Sequence, residues 1–160
     1  LAGPQLWPSV AERLRGYCDA LLRRGVPFDP ALVRHGDTSP AFGARAAVEL
    51  MASGPDAPTA LICCNSLAAA GACAALGDLG LRVPGDVSLV AHDDDLPQVD
   101  VAALDPPLTV TRAPLRAAAE PLAALLVRRI EGAPVEALQV TRRAALVPRA
   151  SVGPPPRRRG

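Results

Sequence analysis

Short apolar runs alternate with segments of helical periodicity along almost the whole of this chain, and that alternation leaves few folds open. Ser9-Val10-Ala11-Glu12 reads as a capping box. Leu14, Tyr17, Cys18, Leu21 and Leu22 then recur at helical spacing until Gly25 and Pro27 end the stretch. Residues 31–34 read as a short strand. Ser39, followed by Pro40, starts a second helix that Gly54-Pro55 stops. Residues 59–64 are a compact apolar run of the kind a buried strand needs, and Asn65 or Ser66 caps a third helix that ends at Gly80. Residues 86–91 and 108–112 supply two more strands. A fourth helix is expected after Pro114 up to about Glu131, with Leu115, Leu122, Leu125, Leu126 and Ile130 as its apolar positions. Residues 139–141 and 145–147 look like a closing hairpin, and residues 151–160, with Pro154-Pro155-Pro156 and three arginines, like a disordered tail. Strands separated by helices pair in parallel through right-handed crossovers. The fold class expected is therefore α/β, an open, mostly parallel sheet flanked by helices.

Composition narrows the function. Of the 160 residues 49% are hydrophobic, but 31 are alanine, so the core is thin for its size. Aromatic residues make up 2% and the net charge is +1, which argues against a base-stacking nucleic-acid binder and against a surface that recruits DNA or anionic lipid by its field. No run is long and apolar enough for a membrane span, and the opening residues carry no signal-peptide pattern, so a cytoplasmic protein is expected. Cys18, Cys63, Cys64 and Cys73 lack metal or redox spacing and read as reduced, mostly buried thiols. There is no nucleophile elbow, phosphate loop or dinucleotide fingerprint, and His35 and His92 have no nucleophile between them; an enzyme is not expected, nor a cofactor. Asp93-Asp94-Asp95 cannot all converge on one ion, which favours a solvated acidic loop over a metal site.

In open parallel sheets ligands sit beyond the carboxyl ends of the strands. The polar residues at those places are Ser9 and Arg13, then Asp37 and Thr38, then Asn65 and Ser66, then residues 92–95. Each has a plain structural role as well: Ser9 and Asn65 as helix caps, Arg13 as a solvated charge, Asp93 as a turn former.

The stretch Leu79-Gly80-Leu81-Arg82-Val83-Pro84-Gly85-Asp86-Val87-Ser88-Leu89-Val90-Ala91-His92-Asp93-Asp94 resembles a segment of the LacI/GalR family of sugar-responsive bacterial regulators. Three more segments fit in order: Arg13-Leu14-Arg15-Gly16-Tyr17, Cys64-Asn65-Ser66-Leu67-Ala68-Ala69-Ala70-Gly71, and Pro106-Pro107-Leu108-Thr109-Val110-Thr111-Arg112-Ala113-Pro114. The resemblance implies a two-lobed sensor like periplasmic sugar-binding proteins, with a small effector, usually a sugar or nucleobase, in the interlobe cleft that shifts operator affinity of a homodimer. It implies effector contacts at Ser9, Arg13, Thr38, Asn65 and Asp93. On the same likeness residues 1–112 correspond to the second lobe, residues 113–132 to a helix of a first lobe and residues 133–150 to closing strands. The helix-turn-helix and most of the first lobe have no counterpart, so DNA contact is expected only through that absent element. The chain departs from the family at Ser66 (usually Asp), at Ala91-His92 (usually Gly and an aromatic) and at Thr38, where many members stack an aromatic on the ligand; Trp7 could supply a ring instead. The alternatives are a periplasmic-type solute-binding protein for transport and a non-functional remnant.

Overall fold

The computed structural model describes residues 1–93, 96–113 and 116–156. Helices α1 (Pro8–Arg23), α2 (Pro40–Met51), α3 (Ser66–Asp78) and α4 (Ala119–Ile130) accompany strands β1 (Ala60–Cys63), β2 (Ser88–Asp93), β3 (Thr109–Arg112) and β4 (Ala145–Val147). The sheet order is β1-β2-β3-β4; the first two pairings are parallel and β3–β4 is antiparallel. This is an open mixed sheet flanked by helices, in keeping with the α/β class expected. None of the described helices is long and apolar enough to cross a membrane.

One face of the sheet is sealed. Leu61 and Cys63 of β1, Leu89 and Ala91 of β2 and Val110 of β3 form one buried cluster with Ala47 and Leu50 of α2 and Ala69, Ala72 and Leu76 of α3. Alternation along each strand sends every second side chain there. With so few bulky residues, the two helices achieve density by close approach. A Cβ added at Gly43 of α2 would overlap the Ala68 carbonyl of α3, and one added at Gly71 would overlap the Pro40 carbonyl. The caps agree with the sequence: the Ser39 hydroxyl accepts from the Phe42 N–H at 3.1 Å, and Asn65 accepts from the Ala68 N–H at 2.7 Å. Gly80, at φ 73°, turns the chain beyond α3.

The opposite face is less completely covered, most openly along β1. Ile62 is 56% exposed although it lies within the sheet, and of α1 only Val10 is buried. The apolar positions of α4 form the stripe expected, yet Leu122, Leu126 and Ile130 lie in solvent. Leu115, predicted on the same stripe, falls outside the described residues.

Several local expectations need correction. Ser9 does not cap α1: Pro8 occupies the first turn, Trp7 is the N-cap residue without a side-chain bond, and Glu12 pairs with Arg15 instead of reaching back. Proline's fixed φ suits the first helical position and moves the start one residue earlier. Residues 31–34 are not a strand. The Asp29 carboxylate accepts from the Ala31 N–H at 2.8 Å and starts a 3-10 turn, Pro30–Leu32, leaving only an isolated parallel bridge between His35 and Ala2. Residues 139–141 form no strand, and β4 pairs with β3 rather than in a hairpin. Ser151, read as the start of a tail, is fully buried: its hydroxyl donates to the Leu89 carbonyl at 2.6 Å and accepts from the Thr109 N–H at 2.8 Å. It ties the chain's last described segment across β2 and β3. Residues 157–160 of the predicted tail lie outside the described residues.

Gly43→Ala should cost about 1–3 kcal/mol in urea denaturation, because backbone must shift to admit the methyl group. Gly77→Ala, on α3 and with open space at its Cβ, should gain about 0.4–1 kcal/mol.

Candidate functional site

The parallel strands end on a common edge, and there the turns after them converge. Gly3 is at the centre. A Cβ built on it would lie 3.0 Å from Val10, 3.4 Å from the Cys64 sulfur and 3.8 Å from the Thr38 methyl. Three separate segments therefore meet within one side chain's reach: the start of α1, the turn before α2 and the end of β1.

Arg13 joins two of them. Its Nη1 donates to the Cys64 carbonyl at 2.7 Å, reaching from α1 to the β1–α3 turn. A guanidinium has five donors in a planar fork, so this bond fixes the group's position while leaving further N–H groups for a ligand. Asn65, next in the chain, is buried. Its Oδ1 is committed to the helix, and its Nδ2 donates to the Cys64 sulfur at 3.4 Å. Its capping role is thus the one the geometry displays. Thr38 is half-buried beside Gly3, and Ser9 lies exposed in the first turn of α1, close in sequence to the half-exposed Trp7. Asp93 closes β2 in register with Arg112; its side chain, with Asp94 and Asp95, lies outside the described residues. The fold thus brings Arg13, Asn65 and Thr38 to one edge, with the Asp93 backbone at the end of the neighbouring strand.

His92 and Thr111 belong to the same neighbourhood. They are register partners on β2 and β3, and His92 Nδ1 lies 2.9 Å from Thr111 Oγ1. His92 was visible as a polar residue after a strand. Thr111 was not, because only the register sets it beside the histidine.

The electrostatics of the rim are mild. The Asp37 carboxyl is held below its ordinary value by hydrogen bonds from the Ser39 hydroxyl and N–H. Burial pushes the Cys64 thiol up, against the pull of the N-terminal ammonium and Arg13. Beneath, burial pushes Cys63 from 9.0 to about 12. The four cysteines are free. Ser66 sets its hydroxyl in the interior, where it meets no hydrogen-bonding partner among the described residues. Among the described residues no three His, Cys, Asp or Glu side chains are grouped to hold a metal ion.

Comparison with known proteins places the chain's fold in a known family. Residues 3–152 match the sequence profile of the periplasmic binding protein-like domain. The HTH-type transcriptional regulator AglR of Rhizobium meliloti is 36% identical over 98% of this chain and 44% of its own length. The regulator GalR of Escherichia coli is 35% identical over 90% of this chain and 41% of its own. This chain thus spans less than half of those relatives. A regulatory protein of the LacI family from Chloroflexus aggregans superposes with TM-score 0.84 at 30% identity, covering 95% of this chain and 53% of that one. A complex of the transcriptional regulator CelR with cellobiose superposes with TM-score 0.79 at 33% identity, covering 94% and 45%. These relatives are regulators rather than enzymes.

A thiol with a raised pKa stabilises the fold fully below its unfolded value and loses that contribution as pH rises towards its folded one, here between 9.0 and about 12. Native protein treated with iodoacetamide at mildly alkaline pH should keep Cys63 unmodified, and urea should release it. Peptide mass mapping reads the result, and rapid native labelling of Cys63 would contradict its burial.

Proposed function

The chain belongs to the periplasmic binding protein-like domains, of the kind that LacI-family transcriptional regulators carry, and from that premise we propose that its carboxyl-end rim is half of an effector cleft. The ligand is a small polyhydroxylated molecule, most simply a sugar. It modulates operator binding by a full-length, dimeric regulator acting in the cytoplasm, whose helix-turn-helix makes the DNA contact.

The observation that carries this reading is the Arg13 bridge. A donor fork anchored to the Cys64 carbonyl is already ordered before a ligand arrives, so little side-chain entropy remains to be lost on binding. Its spare N–H groups suit vicinal hydroxyls. The Thr38 hydroxyl adds a donor and an acceptor at the same edge, and Ser9 in the exposed first turn of α1 and Asp93 at the end of β2 are the further candidates for hydroxyl contacts. Asn65 has a smaller part, holding the turn that presents the Cys64 carbonyl, because its oxygen is spent on the cap. With Thr38 where the family resemblance leads one to expect an aromatic, stacking falls to Trp7 or is dispensed with. That favours a ligand recognised by its hydroxyls over one recognised by an apolar sugar face.

Lobe closure on the ligand would bias the dimer between two arrangements, because only differential affinity for the two can shift them. The CelR–cellobiose complex supports a sugar ligand in this fold family. A transport role as a solute-binding protein finds no support among the relatives named, which are regulators.

The test is a thermal-shift series against monosaccharides, disaccharides and nucleosides. One class should raise the melting temperature, by an amount corresponding to about 2.7 kcal/mol at a hundredfold excess over Kd. Arg13→Ala should abolish that shift while leaving a cooperative transition. A shift that survives Arg13→Ala unchanged, or no shift from any of these ligands, would overturn the proposal.

A further inference from the structure

The turn that carries Thr38 to the rim is held on two sides, and on one of them the holding group is a histidine with no other role so far. Ala2 and His35 form an isolated parallel bridge, in which the Ala2 N–H donates to the Arg34 carbonyl at 2.8 Å. Beyond it, among the described residues, no backbone bond joins Gly3 to residues 36–38. The His35 side chain takes over at that point. Its Nδ1 lies 3.3 Å from the Gly3 carbonyl oxygen, across 32 positions of sequence. A carbonyl can only accept, so the imidazole donates from Nδ1.

The other side of the turn is pinned to α2. A Cβ on Gly36 would overlap the Phe42 ring, and Phe42 is buried. The Asp37 carboxylate accepts from the Ser39 N–H at 3.0 Å and from the Ser39 hydroxyl, and Ser39 in turn caps α2. These contacts fix where the turn enters the helix. They leave its approach to Gly3 to His35 and to the Thr38 methyl group, which stands 3.8 Å from the place of a Gly3 Cβ. A β-branched side chain is stiff at χ1. With its methyl branch against Gly3, Thr38 therefore presents its hydroxyl in a direction set by the spacing of the two segments.

We propose that His35 is a positioning residue of the effector cleft, tying the turn to Gly3 and so setting where the Thr38 hydroxyl meets a sugar. The proposal deepens the effector reading and rests on it. His35 acts through Thr38 and touches no sugar itself. Arg13 is held separately, by the Cys64 carbonyl, so loss of His35 leaves the donor fork in place. His35 thus tunes which hydroxyl pattern is preferred, while Arg13 serves every sugar alike. Because His35 is exposed, its removal should leave the melting temperature almost unchanged.

The experiment compares the unaltered chain with His35→Ala, His35→Asn, Thr38→Val and the double variant His35→Ala/Thr38→Val. The Asn Nδ2 stands as many bonds from Cα as the imidazole Nδ1 and can donate in its place. Thr38→Val keeps a methyl branch and removes the hydroxyl. Titration calorimetry uses cellobiose or, where that gives no heat, the monosaccharide with the largest thermal shift. His35→Ala should weaken binding about three- to tenfold, the scale of one hydroxyl hydrogen bond. His35→Asn should restore it, and the double variant should bind no worse than Thr38→Val alone. Unchanged affinity in His35→Ala, no rescue by His35→Asn, or losses that multiply in the double variant would overturn the proposal. Methyl relaxation in the sugar-free protein supplies a second readout: the Thr38 order parameter should fall in His35→Ala and recover in His35→Asn, and an unchanged value is equally contrary. Should the unaltered chain bind no sugar, the effector reading fails by itself, and the Thr38 methyl still decides whether His35 holds the turn.

Discussion

Everything in this molecule depends on one packed seam, the contact of α2 and α3 with each other and with a single face of the sheet. Gly43 against Ala68 and Gly71 against Pro40 allow two helices poor in large side chains to meet backbone to backbone. That closeness gives an alanine-rich interior the contact density it could not otherwise reach. It also sets the height at which β1 ends and α3 begins, and hence where Cys64 presents its carbonyl. The rim exists because the seam holds the strand ends level.

The asymmetry of the sheet follows from the same arrangement. Leu61, Cys63, Leu89, Ala91, Leu108 and Val110 are consumed by the seam, so the alternate residues, Ile62, Val90, His92 and Thr111, face α1. That second face has a single helix over it and a polar border at its carboxyl end. A polar edge beside an apolar hollow makes two chemically different places out of one surface. On another element, α4 carries an exposed leucine and isoleucine stripe that the described structure does not cover.

The sequence was most legible where structure is dictated within a few residues. Asn65 before an alanine-rich helix, Ser39-Pro40, and Gly80 after α3 each act through local backbone chemistry, and each falls where the pattern placed it. It misled where a neighbouring residue competed for the same role. Pro8 took the helix start from Ser9, and Asp29-Pro30 turned a β-prone run into a 3-10 turn. Partnerships across long separations left no local trace at all: Ser151 clamps Leu89 and Thr109, and Thr111 joins His92 only through register. The rim was legible in outline, since polar residues after strands mark it. The division of labour within it was not, because whether Asn65 spends its oxygen on a helix or on a ligand depends on coordinates rather than spacing.

Chemical-shift mapping of the amide resonances during titration with the best-binding sugar tests the account most directly. Perturbations concentrated at Gly3, Thr38, Cys64, Asn65 and His92, with the opposite edge around Thr59 and Asp86 silent, are the result predicted. Perturbations centred on the Thr59–Asp86 edge, or confined to α4, would contradict the placement of the cleft at the strands' carboxyl ends.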